Sequence, residues 1–252
     1  MQIRAYEVND EVEWLKCRVL SFLDTSYYND VLTKREVYSN EAICLVAEDD
    51  GRIVGLIDVE IENSVGDLCV AGNDIGAVIW HLAVLPEYRQ QNVAATLWNE
   101  AQKQLIARDI RYCEAWTQED EPANRWYLKR GFRNIKEKNW LRCYARSSST
   151  EWFLNQNNVG DIFGVEEMIF EVSTSRKDEV AQYCHKIVEV RLYAKKIVMF
   201  FQTIAVRFRL LFLHQQRNVA SIVASGLTEE QTIFPRIGEC GFGTDKSTIN
   251  EE

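Results

Sequence analysis

One stretch, residues 77–105, constrains the fold of this chain more than any other part of the sequence. It begins with an apolar run of strand length, residues 77–85, which Pro86 ends because proline cannot donate to a strand ladder. From Val93 onwards, apolar residues recur at the spacing of one helical face. Four polar residues, 89–92, lie between the two. The sequence therefore predicts a strand, a short turn and a helix in immediate succession.

This predicted turn has the chemistry of an anion-binding site. The first backbone N–H groups of a helix have no partner within the helix, and the helix dipole makes that end positive. No acidic residue lies in the turn, residues 89–92, to repel an anion. Phosphate groups bind at helix N-termini for these reasons, so the turn is a candidate phosphate-binding loop. A solvated connection without a ligand is the alternative.

The same residues resemble the acetyl-CoA-binding motif of the GNAT N-acetyltransferase superfamily. In that family, a strand ends in a Val-x-Pro-x-Tyr-Arg segment, and an Arg/Gln-x-x-Gly-x-Gly/Ala loop follows. The residues that match here are Val84, Pro86, Tyr88, Arg89, Val93 and Ala94. Asn92 takes the place of the usual glycine. Asparagine tolerates a positive φ better than most residues, so the loop can still form.

A second segment resembles the family motif Asn-x-x-Ala-x-x-x-Tyr-x-x-x-Gly-Phe. The residues that match are Ala123, Tyr127, Gly131 and Phe132. Gly131 suits a left-handed residue at the end of a helix. Asp120 stands where the family has asparagine, and a carboxylate there is unfavourable for a contact with an anionic cofactor.

The resemblance implies an enzyme that transfers the acetyl group of acetyl-CoA directly to a primary amine of a small molecule or peptide. It also implies that no metal is needed, that the strand backbone binds pantetheine, and that the loop binds pyrophosphate. The strand residues are Leu82, Ala83 and Val84, and the loop residues are Arg89, Gln90, Gln91, Asn92, Val93 and Ala94. Tyr127 is the predicted catalytic acid, because a phenol with a pKa near 10 stays protonated at neutral pH. A packing role is the alternative for Tyr127.

The sequence does not identify a general base for the amine. In family members that use a glutamate on the central strand, that position corresponds here to Val78, which has no basic group. Strand alternation directs His81 away from the face of Val78, so a structural role is expected for it. Alternation also predicts one solvated face on the preceding strand, formed by Asp58, Glu60 and Glu62, with a row that holds a cationic amine as the alternative. Asp58, Glu60, His81 and Glu114 are the candidates for the base, and none is selected.

Composition narrows the class of partner. The chain of 252 residues has a net charge of −9 and a pI of about 5.1, which argues against nucleic acid and favours a cationic or amine-bearing substrate. Its seven cysteines include no Cys-x-x-Cys pair, so neither a disulfide framework nor a zinc site is expected. A cytoplasmic location without a secretory leader is the resulting expectation.

The order of predicted elements indicates a mixed α/β sheet, the GNAT acyltransferase fold with a C-terminal extension. Strands are expected at residues 3–6, 43–48, 53–61, 110–117 and 132–144. Helices are expected at residues 10–23 and 122–130, and whether the connection 25–38 contains a further helix is left open. An Asp-Gly turn at residues 49–52 predicts a hairpin. We divide the chain into a GNAT domain at 1–147, an α+β extension at 148–198, and an apolar helix with a disordered tail at 199–252.

The extension is expected to contain a strand at residues 167–172 and a helix from 176 to about 196. The apolar run 197–213 contains two arginines, each of which costs about 2.5–3.5 kcal/mol near a bilayer centre, so no membrane span is expected. A homodimer is left open. The alternative function is a non-catalytic GNAT-like module that binds CoA or a protein partner.

Overall fold

The computed structural model describes residues 1–28, 30–146 and 167–197. Its strands are β1 Gln2–Ala5, β2 Ala42–Asp49, β3 Arg52–Ile61, β4 Gly76–Val84, β5 Tyr112–Thr117, β6 Arg133–Asn134, β7 Trp140–Arg146, β8 Glu167–Ser173 and β9 Cys184–Lys196. Its helices are α1 Glu11–Phe22, α2 Val93–Ala107, α3 Glu121–Lys129 and α4 Lys177–Ala181.

The strands of the described residues form one sheet with the order β1-β2-β3-β4-β5-β9-β7-β8, and β6 pairs with β9. Among these pairs, β4 and β5 are parallel and the others are antiparallel. The mixed α/β class that the sequence predicts is therefore confirmed. The predicted hairpin joins β2 to β3 through Asp50 and Gly51, whose φ angles of 48° and 76° are those of a type I′ turn.

Helices α1 and α2 both pack against β3 and β4, the central antiparallel pair. The buried face of α1 consists of Trp14, Cys17, Arg18 and Ser21, which follow the i, i+3, i+4, i+7 spacing of a helix stripe. Val12, Leu20 and Leu23 are exposed. The predicted helix is confirmed, and the bulky Trp14 lies on the stripe that packs on the sheet.

The helix predicted from residue 176 to about 196 is wrong. Only the short helix α4 forms there, and the strand β9 of 13 residues follows it. Along β9 the buried residues Val188, Val190 and Leu192 are two positions apart, which is the period of a strand. Valine side chains also favour strands over helices. The predicted second helix is likewise absent from the described residues between 25 and 38.

Strand β9 lies between β5 and β7, so the segment that we assigned to an extension supplies a strand to the main sheet. The strand expected at residues 167–172 is confirmed as the edge strand β8. The domain boundaries at 147 and 198 stay predictions. The serine-rich boundary segment 147–150, the apolar run after residue 197 and the tail lie outside the described residues. Among the described residues, no helix is long and apolar enough to span a membrane.

Candidate active site

A cavity of about 550 Å³ opens where β4 separates from β5. The two parallel strands pair from Gly76 to Ile79 on β4, and the pairing ends opposite Ala115 although both strands continue. At the same place, the register between β3 and β4 shifts, so that Trp80 has no partner on β3 and forms a β-bulge. The bulge and the end of pairing leave the last residues of β4 as an exposed backbone edge inside the cavity.

The predicted pantetheine residues lie on this unpaired edge. Leu82, Ala83 and Val84 pair with β3 on one side and line the cavity. Their side towards β5 has no strand partner among the described residues. Unpaired backbone groups of a strand can hydrogen-bond an amide-containing ligand in the manner of an added strand. This arrangement has the geometry that the predicted role requires.

The candidate phosphate loop is built from two residues in the left-handed region. The φ angles are 62° for Gln90 and 63° for Asn92, and helix α2 begins at the next residue, Val93. The side chain of Asn92 does not cap the helix, and the first turn contains no acidic residue. Asparagine accepts this conformation with less strain than most residues, which explains how the loop forms without the usual glycine.

Of the predicted loop residues, Arg89 and Ala94 line the cavity, whereas the others do not. The Gln91 side chain turns back to donate a 2.8 Å hydrogen bond to the carbonyl oxygen of Glu87. The groups of this loop that suit an anion are therefore its backbone N–H groups rather than the Gln91 side chain, and its phosphate-binding role stays a prediction.

Arg89 is occupied by contacts within the protein. Its guanidinium donates to both carboxylate oxygens of Asp24, at 2.7 and 3.0 Å, and to the carbonyl oxygen of Ser21, at 2.6 Å. It also reaches the carbonyl oxygen of Val84, at 3.3 Å. Arg89 thus joins the end of α1 to the end of β4, and its cofactor-binding role stays a prediction.

Asp120 has a structural role that its sequence position alone did not reveal. Its side chain accepts a 3.0 Å hydrogen bond from the backbone N–H of Ala123 and caps helix α3. Aspartate and asparagine are about equally good at this position, so the exchange preserves the cap. The other end of α3 closes as predicted, with Gly131 at φ 82° and the N–H of Phe132 donating to the carbonyl oxygen of Tyr127.

Tyr127 lies on α3 in the wall of the cavity. Its ring stacks on Tyr193 of β9, with centroids 5.6 Å apart, and packs edge-to-face against Phe132 and Trp126. Burial raises the pKa of the Tyr127 phenol, and the neighbouring Tyr27 and Cys113 raise it further. The hydroxyl therefore stays protonated at neutral pH, as a proton donor must.

The expected solvated face on β3 is wrong. Asp58, Glu60 and Glu62 are buried, at 0, 5 and 3% exposure, and each has a structural partner. Asp58 pairs with Arg35 at 2.9 Å, and Glu60 accepts from the indole N–H of Trp80 at 2.7 Å. The carboxylate of Glu62 accepts four backbone N–H groups of the β3–β4 loop, those of Gly66, Leu68, Cys69 and Gly76. The structure therefore gives each of these carboxylates a structural role in place of the expected solvated one.

The expectation for His81 was based on strict strand alternation, which the bulge at Trp80 breaks. His81 lies in the cavity wall, beside the unpaired edge of β4. Its Nε2 lies 2.6 Å from Oε2 of Glu36, and its Nδ1 lies 3.3 Å from Nε of Arg18. The pairing with Glu36 lowers the pKa of that carboxyl group.

A two-residue clamp holds the segment between α1 and β2 against the sheet. Asp58 and His81 are directly opposite each other on β3 and β4. The consecutive residues Arg35 and Glu36 bind them, Arg35 to Asp58 and Glu36 to His81. We call this the Arg35–Glu36 clamp. It places the connecting segment, residues 23–41, at one side of the cavity.

Among the residues of the cavity wall that sequence reasoning missed are Arg18, Tyr27 and Trp80. A signal existed for Arg18, since a charged residue on the same helical stripe as Trp14 and Cys17 must be buried with a partner. Its guanidinium bonds the side chain and the carbonyl oxygen of Asp30. No comparable signal marked Tyr27 or Trp80, because a bulge and a loop contact depend on distant parts of the chain.

The sequence matches a model of the acetyltransferase (GNAT) family over residues 9–132. Residues 9–132 are therefore a GNAT acetyltransferase domain. Acetyl transfer is the chemistry of that family and acetyl-CoA is its cosubstrate, so the expected cosubstrate is confirmed. The GNAT domain of this chain thus contains β2 to β5 and α1 to α3, and all the residues that line the cavity lie within it.

Several solved structures are similar to this chain. One is the PaiA N-acetyltransferase of Thermoplasma acidophilum in complex with coenzyme A (18% identity, 54% of this chain and 91% of that chain, TM-score 0.42). Another is the ribosomal-protein-S18-alanine N-acetyltransferase of Escherichia coli (11% identity, 79% of this chain and 94% of that chain, TM-score 0.45). A third is a GNAT-family acetyltransferase of Streptococcus pneumoniae (16% identity, 78% of this chain and 99% of that chain, TM-score 0.49). No curated protein matches the sequence.

Proposed function

We propose that the chain is an N-acetyltransferase that transfers the acetyl group of acetyl-CoA directly to a primary amine of a small molecule or peptide. The observation that carries the proposal is the composition of one cavity. Its wall combines the unpaired edge of β4, the start of α2 and the Tyr127 ring. These are the three parts that binding a CoA thioester and protonating its sulfur require.

In the proposed mechanism, the backbone of residues 82–84 orients the pantetheine arm along the open edge of β4. The N–H groups at the start of α2 accept the pyrophosphate, where the helix dipole favours negative charge. The amine attacks the thioester carbonyl and the tetrahedral intermediate expels the thiolate. Tyr127 donates its phenolic proton to that sulfur. The raised pKa of Tyr127 keeps the proton in place until the thiolate leaves.

The charge of the cavity suits an amine acceptor. Five carboxylates and two guanidinium groups line it: Asp24, Asp30, Glu119, Asp120, Glu121, Arg18 and Arg89. Aromatic rings of Trp80, Trp116 and Trp126 are also present in the wall. A cation is attracted by both carboxylates and indole faces. A protonated amine can therefore concentrate in this cavity before it loses its proton.

The acidic chain and its free cysteines support two further parts of the proposal. Six cysteines of the described residues are free thiols, which fits a reducing cytoplasmic environment. The net charge of −9 disfavours nucleic acid as the acceptor.

The first test is calorimetric titration of the full chain with acetyl-CoA, for wild type and Asn92→Gly. Glycine relieves the left-handed strain at φ 63°, so the variant should bind a few-fold more tightly, starting from micromolar affinity. Absence of heat from both proteins would reject the proposed cofactor site.

The second test measures thiol release from acetyl-CoA with a polyamine, an aminoglycoside, a free amino acid and a peptide with a free N-terminus. Tyr127→Phe should lower kcat about 100-fold or more without weakening acetyl-CoA binding. The matched control is Tyr193→Phe, which keeps the stacked ring but removes a hydroxyl from a residue that does not line the cavity. Tight acetyl-CoA binding with no transfer to any amine would instead favour the non-catalytic module.

A further inference from the structure

We propose that His81 is the general base that takes the proton from the acceptor amine, with Glu36 stabilising the imidazolium that forms. The inference rests on the proposed N-acetyltransferase function and assigns the proton acceptor that the sequence left open. A histidine suits this task because its imidazole gains and loses a proton near neutral pH.

The position of His81 is the first observation. It directly follows the bulge residue Trp80 and directly precedes Leu82, the first residue of the predicted pantetheine edge. Its side chain lines the same cavity as Tyr127 while remaining 94% buried. The proposed acid lies on α3 and the proposed base on β4, and both line this one cavity.

The hydrogen bonds of the ring are the second observation, because they fix its tautomer. Arg18 is always a donor, so its Nε–H points to an unprotonated Nδ1 of His81. The proton of the neutral ring then lies on Nε2 and is donated to the Glu36 carboxylate at 2.6 Å. An imidazole whose N–H is oriented by a carboxylate presents its other nitrogen as a base.

The contact between Arg18 and Nδ1 is weak enough to yield to an amine. It is 3.3 Å long, beyond the usual 2.7–3.2 Å of an N–H donor bond. Arg18 is held independently of His81, by a 2.6 Å bond to the carbonyl oxygen of Asp30 and a 3.0 Å bond to its carboxylate. An amine that reaches Nδ1 therefore displaces one long hydrogen bond and leaves Arg18 in place.

The remaining candidates for the base are held in other interactions. Asp58 pairs with Arg35 and Tyr38, and its pKa is raised by burial. Glu60 accepts from Trp80 and from the N–H of Asn40. Among the described cavity residues, His81 combines a titratable nitrogen with an orienting carboxylate and a place beside the open strand edge.

Charged groups from three elements face His81. They are Glu36 from the connecting segment, Asp58 from β3 and Arg18 from α1. Arg35 pairs with Asp58, and the Trp14 ring meets the imidazole edge-to-face.

The step balances as follows. The ammonium group loses one proton to Nδ1 of His81, and the Nε2–H stays with the ring and its bond to Glu36. The freed amine nitrogen forms a bond to the acetyl carbon, and the C–S bond breaks with both electrons on sulfur. Tyr127 protonates the sulfur, and the second proton of the nitrogen passes through solvent to the Tyr127 phenolate, which restores the phenol. His81 then returns its proton to solvent, for which the half-exposed Glu36 offers a route.

The experiment uses the full chain, acetyl-CoA and the amines of the panel above, and measures kcat/KM from pH 5.5 to 9.5. His81→Gln retains a side-chain N–H that can donate to Glu36 but removes the basic nitrogen. We expect kcat/KM to fall about 100-fold at pH 7 and to approach the wild-type value as the pH rises and the amine deprotonates in solution. The Kd for acetyl-CoA should be unchanged.

The matched control is His185→Gln, the same exchange at a histidine that pairs with Glu167 outside the cavity. It should leave the entire profile unchanged. Glu36→Gln should keep the hydrogen bond to Nε2, lose the charge, and lower kcat/KM about tenfold. If His81→Gln unfolds, His81→Asn takes its place with the same expected profile.

A His81→Gln enzyme within threefold of wild type at every pH would overturn the inference and leave the proposed function intact. A decrease in kcat/KM by the same factor at all pH values, together with weaker acetyl-CoA binding, would assign His81 a purely structural role. If the wild type binds acetyl-CoA but acetylates no amine, the proposed function fails and this inference fails with it.

Discussion

The cavity has two walls that the chain builds in different ways. The motif wall consists of the end of β4, the candidate phosphate loop with the start of α2, and α3. The connection wall consists of α1, the segment 23–41 and the clamp partners. The motif wall offers backbone groups and one phenol, and its residues are close in sequence. The connection wall depends on side-chain pairs that are 12 to 63 residues apart, such as Arg18 with Asp30 and with His81.

The difference shows how each wall tolerates substitution. Backbone groups persist when a side chain changes, so the phosphate loop forms with asparagine in place of glycine and α3 is capped by aspartate in place of asparagine. A buried ion pair has no such tolerance, because the loss of one partner leaves a desolvated charge. The following substitutions test this contrast.

The largest effect on stability is expected from Arg35→Met in the connection wall. The side chain of Asp58 is fully buried, and without the guanidinium it keeps the Tyr38 hydroxyl, at 3.0 Å, and the Cys44 thiol as uncharged partners. Breaking a buried pair costs about 3–5 kcal/mol, and urea unfolding at pH 7 measures it. The double variant Arg35→Met/Asp58→Asn should recover more than half of the loss. A single variant as stable as wild type would show that the clamp contributes nothing.

A smaller effect, on affinity, is expected from Ala94→Asp in the motif wall. A carboxylate in the first turn of α2 interacts well with the helix dipole but repels an incoming pyrophosphate. We expect acetyl-CoA to bind about tenfold more weakly while the melting temperature stays equal or rises slightly. Asn99→Asp adds the same charge on an exposed position of the same helix and should change affinity less than twofold. Equal losses in both variants would argue against a phosphate site at the helix start.

The smallest effect is expected from Glu36→Gln, and it depends on pH. The bond with His81 lowers the folded-state pKa of Glu36 below the ordinary value of 4.5. Its contribution is therefore present above pH 4.5 and is lost as the pH falls through the folded-state pKa. Because the carboxylate is about half exposed, the loss at neutral pH should be only about 0.5–1 kcal/mol. The free energies of unfolding of wild type and variant should converge near pH 3. A difference between them that does not change with pH would show that the charge of Glu36 does not cause it.

The two walls also differ in how well sequence predicts them. The strand-turn-helix at residues 77–105, the helix at 122–130 with its glycine end, and Tyr127 follow from short segments whose turn chemistry and periodicity are local. The connection wall was missed because a helix stripe with both Trp14 and Arg18 shows its partners only once α1 packs on the sheet. His81 was placed on the wrong face because a single unpaired residue, Trp80, reverses the alternation.

The region after residue 176 gives the same lesson at the level of an element. The spacing of its apolar residues is compatible with a helical stripe. It nevertheless forms strand β9, which hydrogen-bonds β5 on one side and β7 on the other. Propensity and period are weak where long-range hydrogen bonds can override them. β9 also places Tyr193 against Tyr127, a contact 66 residues apart that no local pattern marks.

The sequence by itself determined the mixed α/β class, the turn that precedes α2 and the place of Tyr127 on α3, because these depend mainly on residues that are close along the chain. Only the tertiary structure decided the burial of Asp58, Glu60 and Glu62, the clamp that positions residues 23–41, and the access of His81 to the cavity. The physical reason is that a charged group enters the interior only with a partner, and that partner is selected by the packing of distant strands and helices.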